Sequence, residues 1–233
     1  MTLKTCEIVG EDRPTQARYQ PLMVGLLIED KRVLIAGGGN VALRRALRLL
    51  ACGAHVTVVA PEATPEIQEL SETGSLLWYP RKATPADLAQ IEFLVLAMDD
   101  ATASADLERA ARSRKILVNR ADTASSGDFL FAAEISDGPL TLAVLTGGAG
   151  PFFANFIKTQ LLALSKERKW AELGCLLSQF RTEVRSTVEG VKDRRSFLER
   201  VRIETLQALM ESEGPDSVER YLLGILDSDE TSA

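Results

Sequence analysis

Between Gly25 and Asn119 the chain alternates short, uninterrupted apolar runs with stretches whose apolar residues recur every three or four positions. Val33-Leu34-Ile35-Ala36 is the first run, and it ends in Gly37-Gly38-Gly39. A run apolar at every position predicts a strand buried on both faces, here followed by a tight turn. Leu43, Ala46, Leu47 and Leu50 then keep helical spacing, which predicts a helix with that face inward. Arg44, Arg45 and Arg48 lie away from it, and Gly53 suits the stop. Val56 to Val59 reads as a second strand, and Thr64-Pro65 as the cap and first turn of a helix through Leu70. Leu76 to Tyr79 is a further strand, and Thr84-Pro85 with Asp87 opens a short helix. Phe93 to Ala97 is a central strand, residues 102–113 a helix, and Ile116 to Asn119 one more strand. Strands and helices alternating at this spacing predict βαβ units on a parallel sheet.

The grammar changes after Asn119. Phe129 to Ile135 and Leu140 to Leu145 flank Ser136-Asp137-Gly138-Pro139 and predict a hairpin. Thr146-Gly147-Gly148-Ala149-Gly150-Pro151 leads into a helix carrying Phe152, Phe153, Phe156, Ile157 and Leu161. From Ser165 to about Leu226 the chain reads as charged helices, broken near Gly190 and at Gly214-Pro215. The expected division is a tail over 1–19, an α/β domain over 20–119, a small α+β segment over 120–164, and a helical domain over 165–233.

Composition narrows the chemistry. The chain has 233 residues, a formal charge of −6, three cysteines and a single histidine. One histidine excludes a two-His zinc site, and the three cysteines form no CxxC pair. The acidic balance argues against a nucleic-acid binder, and no apolar run is long enough to span a bilayer, so a cytoplasmic setting is expected. No bound metal is expected. His55 opens a strand and is expected to be structural or half-buried.

Gly37-Gly38-Gly39-Asn40-Val41-Ala42 fits G-x-G-x-x-A between a strand and a helix, the context that gives a dinucleotide fingerprint its meaning. In that fingerprint the glycines permit the turn and the approach of a pyrophosphate to the helix N-terminus. The second strand ends at Val59-Ala60-Pro61-Glu62, where Glu62 is the carboxylate nearest the expected ribose position. No arginine follows immediately to receive a 2′-phosphate, which favours NAD over NADP. Glu62 as a solvated loop charge is the competing reading.

With these residues in place, the chain resembles the precorrin-2 dehydrogenase / sirohaem synthase family. The resemblance rests on Val33 to Ala42 with Arg44 and Arg45, Ala97-Met98-Asp99-Asp100, Val118-Asn119 with Asp122, and Asp128-Phe129-Leu130-Phe131. It continues through Gly138-Pro139-Leu140-Thr141, Thr146-Gly147-Gly148 and Arg194 to Glu199, and so covers about residue 20 to residue 226. It implies a Rossmann-type parallel sheet, a small α+β dimerisation segment and a C-terminal helical region. It also implies NAD-dependent oxidation of precorrin-2 to sirohydrochlorin, with Asp122 as acid/base. Cofactor contacts would come from Gly37, Gly38, Gly39, Asn40, Val41, Pro61, Glu62, Ala97 and Asn119. Arg120, Thr146, Gly147, Gly148 and Lys158 would meet the substrate carboxylates. The implied partner is a second copy, exchanging about residues 120–164, with methylation of the tetrapyrrole supplied by a separate polypeptide.

Departures fall in the substrate half. Ala149-Gly150 stands where relatives usually carry a polar pair, Asn155-Phe156 where they carry arginines, Gly127 where cysteine is frequent and Ala132 where proline is frequent. Two alternatives stay open at this point. One is a bifunctional enzyme that also inserts Fe(II) into sirohydrochlorin, with Asp122 again the residue named. The other is a non-catalytic NAD-binding regulatory module.

Overall fold

The computed structural model describes residues 21–121, 127–188 and 190–227. The chain falls into two compact units, the first ending at Phe131 and the second beginning at Ala132. That division lies beyond the change of grammar read at residue 120.

In the first unit five strands form one parallel sheet: β1 (Arg32–Ala36), β2 (His55–Val59), β3 (Leu77–Tyr79), β4 (Phe93–Leu96) and β5 (Leu117–Arg120). Their order across the sheet is β3-β2-β1-β4-β5, which reverses direction between β1 and β4. Alternate residues of β1 feed two separate cores. Val33 and Ile35 pack with Ala42, Ala46 and Leu49 of α1 (Asn40–Ala51) and Ile67 of α2 (Pro65–Glu72). Leu34 and Ala36 pack on the other face with Leu107 and Ala111 of α3 (Ala101–Ser113) and with Leu88. Burial on both faces is why β1 and β4 read as continuous apolar runs rather than alternating ones.

The helix starts follow their caps. Thr64 accepts the Ile67 N–H at 3.4 Å, and Asp100 accepts those of Thr102 and Ala103 at 3.1 and 3.0 Å. The short helix expected after Thr84 is a single 3₁₀ turn (Pro85–Leu88). Its Asp87 accepts the Thr84 N–H at 2.8 Å and the Arg81 guanidinium, Nη1 to Oδ2 at 2.9 Å.

Three expectations about α1 and β2 are corrected. Leu47 is 48% exposed, because small Ala42 and Ala46 bring α1 close to the sheet and rotate Leu49 inward in its place. Arg45 is not on the solvated face: its guanidinium stacks over the Phe131 ring at 4.1 Å, and burial holds its pKa below the usual arginine value. His55 is neither buried nor half-buried. Its side chain is 69% exposed and lies 3.6 Å from Asp30.

The second unit starts with the hairpin β6 (Ala133–Asp137) and β7 (Leu140–Val144), antiparallel around Gly138-Pro139. The first hairpin strand begins later than the apolar run Phe129 to Ile135 suggests. Phe129 and Phe131 are used in the first unit instead, where Phe93 meets Phe129 edge-on at 5.9 Å and Phe129 tilts against Phe131 at 5.5 Å. Helix α4 (Pro151–Glu167) packs on β6, and buried Ser165 donates to Asp137 Oδ2 at 2.8 Å. Helices α5 (Trp170–Thr187), α6 (Val191–Glu199), α7 (Ile203–Ser212) and α8 (Pro215–Asp227) enclose a core of Leu173, Phe180, Val184, Leu206, Met210 and Val218. Among the described residues no helix is long and apolar enough to cross a membrane.

Candidate functional site

The turn after β1 is fixed from both sides. Gly37 N–H donates to Val59 O of β2 at 3.1 Å, and Ala97 N–H donates to Ala36 O at 2.8 Å. A Cβ on Gly37 would meet the Ala97 carbonyl oxygen at 2.0 Å, and one on Gly38 would meet the Glu62 carbonyl oxygen at 2.1 Å. Both glycines are therefore required by the chain's own backbone. Gly39 is different: nothing lies within 4 Å of where its Cβ would be. Its φ of −83° is open to any residue. The missing side chain leaves free space on the outside of the turn, where a ligand's phosphate could approach. Gly39 is also the N-cap of α1, which has no capping side chain and no acidic residue in its first turn. The unpaired N–H groups and the positive end of the helix dipole thus face that space.

Around this turn lies a cleft of about 460 Å³, lined by Gly37, Gly38, Gly39, Asn40 and Val41 from β1–α1, by Ala60, Pro61 and Glu62 after β2, and by Ala97, Met98 and Asp99 after β4. It stands at the carboxyl ends of the strands where the sheet order reverses, the place at which open α/β sheets take their ligands. The structure brings together every expected cofactor residue except Asn119. That residue is 2% exposed, and its Nδ2 donates to Phe129 O at 2.8 Å, so it ties β5 to the segment that follows. Ala60, Met98 and Asp99 complete the cleft without having been singled out as contacts. Only the adjacency of β4 to β1, a long-range pairing, brings the latter two there.

Asp122 lies outside the described residues. Its neighbours are held: Ala121 N–H donates to Leu96 O at 3.0 Å, and Gly127 pairs with Asn119 in an antiparallel bridge. Arg120, expected as a substrate donor, has its Nη1 on Glu108 Oε2 at 3.0 Å with both side chains 15% exposed, and so braces β5 against α3. In the second unit Thr146 to Gly150 leads into α4. Space is open beside Gly147 and Gly148, and Lys158 is half-buried on α4. Among the described residues no group of three or more His, Cys, Asp or Glu side chains could hold a metal ion.

Fold and cleft define a dinucleotide-binding protein of the Rossmann class. Residues 24–133 match a family model for NAD(P)-binding proteins, and residues 169–226, which span helices α5 to α8, match the sirohaem synthase dimerisation region. The chain is 39% identical to "Siroheme synthase" of Chromobacterium violaceum over 176 residues, 76% of this chain and 37% of that one. It is 32% identical to "Siroheme synthase" of Tolumonas auensis over 213 residues, 91% of this chain and 44% of that one. The chain thus spans about two fifths of the length of these relatives. A solved structure titled "SirC, precorrin-2 dehydrogenase" superposes with a TM-score of 0.68 at 27% identity, covering 89% of this chain and all of that one. The chain belongs to the precorrin-2 dehydrogenase / sirohaem synthase N-terminal family.

Proposed function

We propose that this chain oxidises precorrin-2 to sirohydrochlorin, with NAD as the hydride acceptor. The observation that carries the cofactor half is the open space beside Gly39 at an uncapped helix N-terminus, inside a cleft at the switch point of the sheet. The residues fit a dinucleotide. Backbone amides of the turn and of α1 hold the pyrophosphate, and Glu62 accepts from a ribose hydroxyl. Glu62 is acidic and the described lining contains no Lys or Arg, so a 2′-phosphate on the adenosine ribose meets repulsion and NAD is preferred to NADP. The names of the relatives and of the superposed structure support the substrate half.

When bound, the cofactor supplies an acceptor for the hydride lost from the tetrapyrrole. Removing two hydrogens also releases a proton, and Asp122, just past the carboxyl end of β5, is the residue we assign to take it. A positioned base of this kind contributes about 10²–10⁴-fold. The substrate carboxylates are met by backbone N–H groups of Thr146, Gly147 and Gly148 and by the Lys158 ammonium, in keeping with the open glycine loop before α4. Arg120 contributes by bracing β5, the strand that precedes Asp122 in the chain, against α3.

The working unit we propose is a cytoplasmic homodimer that exchanges residues 120–164, with a separate methyltransferase making its substrate. The exposed aromatic face of α4 supports the assembly, since Phe152, Phe153 and Phe156 are 77%, 42% and 58% exposed. The test is direct. Protein, fresh precorrin-2 and NAD should give NADH absorbance at 340 nm together with sirohydrochlorin. NAD binding without NADH formation would leave a cofactor-binding module and sink the enzyme.

A further inference from the structure

The sheet order places β1 between β2 and β4, so the glycine turn stands between the ends of two flanking strands. Each flank delivers one exposed carboxylate to the same cleft, Glu62 just past β2 and Asp99 just past β4. Asp99 makes no hydrogen bond or ion pair among the described residues, whereas its neighbour Asp100 is committed to capping α3. The path of the chain up to Asp99 is set by the close approach of Gly37 to the Ala97 carbonyl.

A dinucleotide consists of two nucleosides joined through a pyrophosphate. With the pyrophosphate on the glycine turn, its halves extend in opposite directions, one over β2 and one over β4. The carboxylate that follows the second strand serves the ribose of the adenosine half. The other half, with its own ribose diol, then lies on the side of Asp99. We infer that Asp99 is a cofactor-binding residue that accepts hydrogen bonds from the ribose of the nicotinamide half, fixing the ring that receives the hydride. This rests on the dinucleotide reading above and adds a second, separate anchor to it.

Calorimetric titration of NAD and of ADP, which lacks the nicotinamide half, separates the two anchors. A hydrogen bond to a charged group corresponds to about tenfold or more in affinity, so Asp99→Ala should weaken NAD by that factor. Its ADP affinity should stay unchanged or tighten slightly, because a negative charge near the phosphates has gone. Asp99→Asn, which keeps an acceptor without the charge, should fall between wild type and Asp99→Ala for NAD. Glu62→Ala should weaken NAD and ADP alike. Equal loss of NAD and ADP in Asp99→Ala, or no loss of NAD, overturns the assignment. A wild-type protein that binds ADP and NAD with equal affinity also overturns it, since the second half would then contribute nothing. A wild-type protein that binds neither overturns the dinucleotide reading itself.

Discussion

Asp128 grips Val118 twice: its N–H donates to the Val118 carbonyl at 2.6 Å, and its Oδ2 accepts the Val118 N–H at 2.9 Å. The same carboxylate reaches Arg112 of α3 at 3.0 Å, and Arg112 and Arg120 converge on Glu108 at 3.0 Å each. The returning chain is thereby fastened to β5 immediately after the segment that contains Asp122. Asp128→Ala should leave the Val118 N–H without its acceptor and cost about 1–3 kcal/mol. Asp128→Asn, which can still accept that N–H, should cost less. Chemical denaturation of both variants measures the difference, and equal losses would mean that the Arg112 pair, not the Val118 bond, is what matters.

Two adjacent glycines of the turn, Gly38 and Gly39, should respond to substitution in opposite ways. Gly39→Leu should still fold and lose NAD binding, because nothing of the protein lies within 4 Å of its Cβ and the side chain extends into the ligand space. Gly38→Ala should lower stability by about 1–3 kcal/mol, since its Cβ collides with backbone at Glu62. NAD binding that persists in a folded Gly39→Leu protein would remove the cleft from the argument.

Asp122→Asn keeps the shape of the side chain and removes its basicity. Turnover of precorrin-2 should drop about 10²–10⁴-fold while NAD affinity stays as in wild type. Single-turnover kinetics beside a binding titration give both quantities, and unchanged turnover removes Asp122 from the chemistry.

The Asp87 carboxyl is lowered to about 2, first by its hydrogen bond to Arg81 and then by those from Thr84. A depressed carboxyl stabilises the folded state above its unfolded value, about 3.9, and loses that contribution as pH falls through the folded value. Asp87→Asn should therefore cost about 1–2 kcal/mol at pH 6. The gap from wild type should close between roughly pH 4 and pH 2. Thermal melts across that range test it, and a gap independent of pH would assign the loss to shape rather than charge.

The apolar face of α4 gives an assembly test. Light scattering of the wild type should give a dimer mass, and Phe152→Glu with Phe156→Glu should shift it toward the monomer. A wild-type monomer mass contradicts the proposed assembly.

The sheet and the glycine turn were legible because burial on both faces writes an unbroken apolar run and the turn has its own spacing. The facing of α1 was not. Its leucines suggested the inner stripe, but close helix–sheet packing selected Ala42 and Ala46 and so brought Leu49 round in place of Leu47. Arg45 read as a surface charge because its partner ring, Phe131, is distant in sequence. Phe129 to Phe131 mimicked a strand, since a run of aromatics that packs on another element has the same local pattern. In the cleft, residues next to the turn or at a fixed distance from it could be read from spacing. Met98 and Asp99 could not be read that way, because the pairing of β1 with β4 brings them there.

The Asn119–Gly127 bridge and the double grip of Asp128 have a consequence for association between molecules. A sheet edge is a template on which foreign strands add, and here the chain itself lies over the β5 edge. At the opposite edge stands β3, three residues long, with Leu77 and Tyr79 exposed. Among the described residues the sheet is thus one-sided toward strand addition: aggregation by edge pairing should start at β3, and a lysine in place of Leu77 should slow it.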